Sequence, residues 1–212
     1  MVPKKLIGIF GGTFDPIHNG HVQVIENLLK IIHFDKLIVI PNGHPPHKDK
    51  GIDPKVKLEL VNIALAHIDN IQIDERELNA ETPSYAYLTY KQVQLENEGS
   101  SLAWVMGSDS FLGIETWYEY EKLLQEANLL ILERPGYSLD NEFSVKHILE
   151  QRKVNNISDL HEDSGRIFIS KIDPIELTST KIRDSIRRNE DVSSLLNHNV
   201  YRLIKNKNLY KE

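Results

Sequence analysis

The sequence contains no cysteine, which excludes disulfide bonds, thiolate zinc sites and cysteine nucleophiles. It also lacks a long apolar run. The first such run, Leu6 to Phe10, has the length of a buried strand and is too short for a signal peptide or a membrane span. No block rich in glycine, proline or serine marks a linker. These absences predict a cytoplasmic protein with no membrane partner, folded as one domain over residues 1–212.

An excess of positive charge is absent as well. The chain carries 25 lysines and arginines against 31 acidic residues, for a formal net charge of −6. Because no positive field surrounds the protein, we expect no nucleic-acid partner. Small phosphates are still suitable ligands, since a loop of backbone N–H groups binds them whatever the net charge.

Strand-length apolar runs alternate with helical patterns along the chain. The predicted strands are 6–10, 37–40, 71–73, 102–106, 129–132 and 167–169. The predicted helices are 19–32, 54–66, 85–98, 117–127, 143–153 and 179–188. The residues predicted to mark helix N-termini are Asp53-Pro54, Thr82-Pro83, Thr116 and Thr178 or Ser179. Residues 154–165 are predicted to form a surface loop. This order favours parallel pairing with right-handed crossovers. The predicted fold is α/β: a doubly wound, mainly parallel Rossmann-like sheet with helices on both faces.

The most informative segment follows the first predicted strand. Gly11 and Gly12 allow the backbone to approach a phosphate closely, and the helix that follows offers free N–H groups to an anion. His18 and His21 share one face at the start of that helix, with Gly20 leaving room between them. The segment is neither GxGxxG nor a P-loop. Two histidines at this spacing can chelate zinc, but no third ligand accompanies them, so we predict no protein-bound metal.

Several motifs occur together in an order that is typical of one family. They are Gly11–Pro16, His18–His21, Pro45–Lys48, Pro83–Tyr85, Gly107–Ser110, Thr116–Tyr118, Arg134–Tyr137 and Thr178–Arg183. The first two resemble the HxGH nucleotidyltransferase superfamily, and the whole set resembles bacterial nicotinate-nucleotide adenylyltransferases over nearly the whole chain. The resemblance implies a nucleotidyltransferase fold and adenylyl transfer from ATP, accompanied by Mg²⁺, to nicotinate mononucleotide.

The residues and the resemblance together define an expected site. The residues expected to face the reacting phosphates are His18, His21 and Arg183. Those expected to bind ATP are Gly11, Gly12, Thr13, Phe14, Gly20, Gly107, Asp109, Ser179 and Thr180. Those that the resemblance assigns to the acceptor are His47, Lys48, Tyr85, Ala86, Trp117, Tyr118 and Arg134.

The resemblance also implies particular acceptor contacts. His47 and Lys48 would contact the phosphate of the mononucleotide, and Trp117 would stack on its pyridine ring. Backbone N–H groups near Ala86 and Tyr118 would donate to the ring carboxylate. The family often has threonine where this chain has Ala86, a change that preserves a backbone contact but no contact through a hydroxyl.

Other interpretations stay open at the level of sequence. The acceptor could be nicotinamide mononucleotide, alone or beside the nicotinate form, or phosphopantetheine. A nucleotide-binding sensor without catalysis is an alternative of another class, although both histidines are present. The oligomeric state, including a homo-oligomer, is left open.

Overall fold

The computed structural model describes residues 4–44, 51–134, 136–140, 143–161, 164–171 and 177–211. Its strands are β1 (Leu6–Gly12), β2 (Lys36–Pro41), β3 (Ile71–Ile73), β4 (Ser101–Gly107), β5 (Asn128–Leu132), β6 (Lys153–Val154) and β7 (Ile167–Ser170). Its α-helices are α1 (Asn19–Ile31), α2 (Pro54–Leu65), α3 (Ala86–Glu96), α4 (Ser108–Leu112), α5 (Tyr120–Glu126), α6 (Lys146–Arg152), α7 (Ser179–Arg187) and α8 (His198–Asn206). Within these ranges, no helix combines the length and the apolar character needed to cross a bilayer.

The strands form one parallel sheet in the order β3-β2-β1-β4-β5-β7-β6. β1 lies inside the sheet, with Ile9 opposite Ile38 of β2 on one side and Trp104 of β4 on the other. The chain runs outward from β1 to β3 and then returns to place β4 on the other side of β1. The strand order therefore reverses between β1 and β4, and ligands of doubly wound sheets bind at such a reversal. The predicted α/β doubly wound fold is confirmed.

Two apolar layers cover the sheet, one on each face. Leu6 and Phe10 of β1 pack on the side of α1, α2, α7 and α8, whereas Ile7 and Ile9 pack on the side of α3, α4, α5 and α6. Because both faces are buried, the strands appear in the sequence as nearly continuous apolar runs rather than as an alternation.

The predicted start of α2 is confirmed, and α3 begins one residue after its predicted start at position 85, but the capping role of Thr82-Pro83 is wrong. Asp53 accepts hydrogen bonds from the backbone N–H groups of Lys55 and Val56 at 2.9 and 3.2 Å, with Pro54 as the first helical residue. α3 begins at Ala86 without a side-chain cap. Ser84 instead accepts hydrogen bonds from the backbone just after β2, so tertiary contacts hold this segment outside the helix.

The helix predicted to begin at Trp117 also starts later. Residues Ile114–Thr116 form a 3₁₀ turn, and Trp117 is extended. The hydroxyl of Thr116 donates to the carbonyl of Gly113 at 2.8 Å, so it does not cap the next helix. Glu119, in the left-handed conformation with φ 53°, precedes α5. The aromatic pair Trp117-Tyr118 therefore lies in a connection and not on a helix.

The segment predicted as a surface loop, 154–165, is partly ordered into the sheet. Val154 pairs with Phe168, and Ile157–His161 form a 3₁₀ turn. Leu160 of this turn is buried, and its carbonyl accepts hydrogen bonds from the side chains of Ser101 and Asn128 at 2.5 and 3.1 Å. One apolar residue in a polar stretch thus anchors the segment.

Candidate active site

A large cleft opens at the carboxyl ends of β1 and β4, where the strand order reverses. Its volume is about 2130 Å³, more than one small ligand needs. It is lined by every predicted site residue that the structure describes: Gly11, Gly12, Thr13, Phe14, His18, Gly20, His21, Tyr85, Ala86, Gly107, Asp109, Trp117, Tyr118, Arg134, Ser179, Thr180 and Arg183. Predicted residues His47 and Lys48 lie outside the described residues.

The loop after β1 is shaped by Phe14. This residue has φ 46°, in the left-handed region, and its side chain is fully buried. Its ring occupies the space beside Gly12, where an added Cβ would lie only 2.7 Å from the ring. The same ring makes a T-shaped contact with the ring of His21, with ring centroids 5.0 Å apart. The second glycine is therefore required by packing against Phe14, and Phe14 in turn supports His21.

The two histidines form a reciprocal cap at the start of α1. His18 Nδ1 accepts from the backbone N–H of His21, and His21 Nδ1 accepts from the backbone N–H of His18, both at 3.3 Å. Their rings are stacked, with centroids 3.7 Å apart. In the neutral rings, an Nδ1 that accepts leaves the proton on Nε2. Each neutral ring therefore has an Nε2–H donor for an anion at the helix N-terminus.

The charge state of His18 follows from its burial. Only 4% of the residue is exposed, and burial lowers its pKa to about 4, with a smaller effect from the positive charge of Arg134. His18 is therefore neutral near pH 7. It can offer a hydrogen-bond donor to a phosphate, but no full positive charge.

We expect the buried His18 to make the protein less stable in acid. Below pH 6.5 this histidine is protonated in the unfolded chain, whereas in the folded protein it stays neutral down to about pH 4. Protonation therefore favours the unfolded state, and the free energy of unfolding should fall by about 2 kcal/mol between pH 7 and pH 5. His18→Asn keeps a capping acceptor but no titrating ring. Urea unfolding of both proteins at the two pH values should show this loss in the wild type only. An equal loss in the variant would contradict the assignment.

The second wall of the cleft is the N-terminus of α7. Thr178 caps this helix by accepting from the backbone N–H of Lys181 at 3.2 Å. The Ser179 hydroxyl donates to the carbonyl of Pro16 at 3.0 Å. Arg183 Nη1 donates to the carbonyl of Asp15 at 2.6 Å. The loop after β1 and the start of α7, distant in sequence, thus form one surface.

Asp109 and Arg134 form an ion pair at the end of β4. Arg134 Nη1 lies 3.1 Å from Asp109 Oδ2, while Asp109 Oδ1 is buried with no hydrogen-bond partner among the described residues. Gly107 makes room for the pair, because a Cβ there would lie 2.3 Å from Asp109 Oδ1. The free oxygen can accept from a ligand hydroxyl. The sequence placed the two residues in different subsites, whereas the structure joins them.

Four of the residues assigned to the acceptor, Tyr85, Ala86, Trp117 and Tyr118, lie near the start of α3. The rings of Tyr85 and Tyr118 lie 4.7 Å apart, and Trp117 lines the same part of the cleft. Ala86 is the first residue of α3, so its N–H belongs to the first turn, which has no partner within the helix. A helix N-terminus beside aromatic rings suits a flat anionic group.

Sequence reasoning missed some cleft residues. Lys57 is only 2% exposed and donates to the carbonyl of Asn42 at 2.7 Å. Burial raises the pKa of Glu77, which accepts from the hydroxyl of Thr89 at 2.6 Å. The signal for Lys57 was a lysine on the apolar face of α2. Tyr210, near the end of the chain, also lines the cleft and had no sequence signal.

Comparison with known proteins agrees with this fold. A family model described as cytidylyltransferase-like matches residues 9–185, a range that includes the histidine pair and the start of α7. The match covers most of the chain and places the protein in the class of cytidylyltransferase-like nucleotidyltransferases.

Curated relatives identify the family within this class. "Probable nicotinate-nucleotide adenylyltransferase" of Shigella boydii is 34% identical, covering 98% of this chain and 100% of the relative. The protein of the same description from Shewanella baltica is 33% identical, covering 96% and 98%. The chain belongs to the nicotinate-nucleotide adenylyltransferase family.

Solved structures support the fold. Plasmodium falciparum nicotinic acid mononucleotide adenylyltransferase, complexed with NaAD, superposes with a TM-score of 0.74 at 18% identity, covering 97% of each chain. The same enzyme complexed with APC gives a TM-score of 0.71.

Proposed function

We propose that this protein transfers the adenylyl group of ATP to nicotinate mononucleotide, giving nicotinate adenine dinucleotide and pyrophosphate. The observation that carries the proposal is the cleft itself. Its lining includes the His18–His21 cap, the start of α7, and the aromatic residues Tyr85, Trp117 and Tyr118. Residues 1–212 would then act as one nucleotidyltransferase domain, since the two ends of the chain share the cleft.

In this reaction, a 5′-phosphate oxygen of the acceptor forms a bond to the α-phosphorus of ATP while the bond to the β-phosphate breaks. Pyrophosphate leaves with the electron pair. The nucleophile is already ionised, so no protein base is required. His18 and His21 would donate through Nε2–H, and Arg183 would place its charge beside the phosphates. These groups stabilise the negative charge that builds up in the transition state.

We propose that ATP enters with Mg²⁺ bound to its phosphates. An ion held in this way needs few protein ligands, because Mg²⁺ keeps most of its waters. The ion would neutralise charge on the leaving pyrophosphate. The loop at the start of α1, with Gly11, Gly12 and Gly20, would hold the phosphates, and Asp109 Oδ1 would accept from a ribose hydroxyl.

The acceptor would bind across the cleft. Trp117 would stack on the pyridine ring, and N–H groups at Ala86 and Tyr118 would donate to its carboxylate. His47 and Lys48, which follow β2 in sequence, would meet its phosphate. Arg134 is held by Asp109 and would contribute positive charge between the two nucleotides.

We expect the protein to prefer nicotinate mononucleotide over its amide by at least about tenfold in kcat/KM, or roughly 1.4 kcal/mol. A carboxylate accepts at both oxygens, whereas an amide would turn an N–H donor toward the N–H groups of the site. Steady-state kinetics with each mononucleotide measures the preference. Trp117→Ala is the control: it should weaken both acceptors and preserve their ratio, because stacking does not distinguish them.

One assay tests the proposed function and its alternatives. Pyrophosphate release is followed with ATP, Mg²⁺ and either mononucleotide. Turnover with the nicotinate form supports the proposal, equal efficiency with both forms favours a dual-specificity enzyme, and ATP binding without turnover favours a sensor.

A further inference from the structure

The C-terminal end of the chain contacts the loop that precedes the histidine pair. The Tyr210 hydroxyl donates to Asp15 Oδ1 at 2.6 Å. Asp15 is only 6% exposed, and the pKa of Tyr210 is raised first by burial of its hydroxyl and then by the negative charge of Asp15. The contact spans 195 residues of sequence. It is a charge-assisted hydrogen bond in a partly buried place, where such bonds are strong.

The end of α8 directs Tyr210 to this position. Asn208 follows α8 with φ 50°, and the N–H of Leu209 bonds back to the carbonyl of Ile204 at 3.0 Å. This left-handed turn ends the helix and reverses the chain. Leu209 packs against the core layer that also holds α8. Tyr210, with φ 65°, is thus held over the cleft.

Asp15 joins several parts of the proposed site. Its carbonyl accepts from Arg183, and the next carbonyl, that of Pro16, accepts from Ser179. Its Oδ2 faces Gly51, where a Cβ would lie 2.5 Å away. Fixing the Asp15 side chain therefore fixes a backbone carbonyl that orients Arg183.

We propose that Tyr210 is a positioning residue for the triphosphate site, acting through Asp15 on Arg183 and on the loop before His18. This inference rests on the proposed function for its kinetic test. Tyr210 contacts Asp15 and needs no contact with substrate. Because Arg183 would contact the phosphates of ATP, loss of the Tyr210 hydroxyl should change the kinetic parameters for ATP much more than those for the acceptor.

The experiment compares Tyr210→Phe, which removes only the hydroxyl, with the wild type. We expect kcat/KM for ATP to fall roughly tenfold, since small displacements of groups that meet the reacting phosphates have large effects on rate. The dissociation constant of a non-hydrolysable ATP analogue, measured by calorimetry, should rise, while KM for the mononucleotide changes by less than about twofold. Tyr201→Phe, on α8 with its ring beside Lys205, is the matched control and should behave like the wild type.

A double-mutant cycle tests the route through Asp15. In an Asp15→Ala background, Tyr210→Phe should add little, because its partner is already gone. Any of three results would overturn the inference. They are a further tenfold loss of kcat/KM for ATP in the double mutant, an unchanged kcat/KM for ATP in Tyr210→Phe, and an equal loss in Tyr201→Phe. If the wild type binds the ATP analogue but turns over no mononucleotide, the proposed function fails, and the dissociation constants still decide the role of Tyr210.

Discussion

Replacing His21 by alanine is expected to lower kcat roughly 100-fold to 1,000-fold, the range for losing one transition-state donor. The ring offers its donor from a fixed position, because Nδ1 accepts from the backbone of His18 and the ring packs against the rings of His18 and Phe14. KM for ATP should change much less than kcat if the donor acts mainly on charge that develops in the transition state. Steady-state kinetics with saturating nicotinate mononucleotide measures both.

His21 also belongs to the helix cap, so the kinetic loss must be separated from a loss of stability. Its removal should cost about 1 kcal/mol of folding free energy as a lost cap. His21→Gln can restore the backbone contact, since glutamine serves this position in capping boxes, and should recover stability more fully than turnover. His198→Ala, at an exposed position, is the control variant. A kcat of His21→Ala within threefold of the wild type would refute the assigned role.

Removing Arg183 is expected to have the second largest effect, with Arg183→Ala lowering kcat/KM for ATP about 100-fold. Two losses combine in this variant. The charge beside the phosphates disappears, and the carbonyl of Asp15 loses the donor that holds the loop at 2.6 Å. Arg183→Lys keeps the charge but not the forked geometry that also reaches Thr180. The kcat/KM of Arg183→Lys for ATP should therefore exceed that of Arg183→Ala by less than tenfold.

Arg188→Ala provides the matched control for Arg183. Arg188 ends the same helix but pairs with Glu190 in solvent, with its side chain 63% exposed. Its removal should leave kinetics unchanged, because exposed ion pairs contribute little. Full recovery of activity in Arg183→Lys would show that charge alone matters and that the contact with Asp15 does not.

Much of the fold was predictable because it depends on local patterns. Buried parallel strands need continuous apolar runs, and β1, β2, β4, β5 and β7 all have them. Helix starts with a strong local signal, such as Asp53-Pro54, were located correctly. The capping roles expected of Thr82 and Thr116 were wrong, because Ser84 is held by hydrogen bonds from the segment after β2 and the Thr116 hydroxyl donates to the nearby carbonyl of Gly113. α8 was not predicted.

The candidate site was also predictable only in part from the sequence. The sequence alone determined the family, through the resemblance of its motifs, and the doubly wound fold, through the alternation of apolar runs with helical patterns. It also located the glycine and histidine segment, because that segment depends on residue types at fixed spacing. Only the tertiary structure decided the neutral state of His18, the Asp109–Arg134 pair and the hydrogen bond from Tyr210 to Asp15. A pKa depends on how many atoms exclude water from the ring, and a contact across 195 residues depends on how the whole sheet brings two ends of the chain together. Neither is encoded in a local pattern.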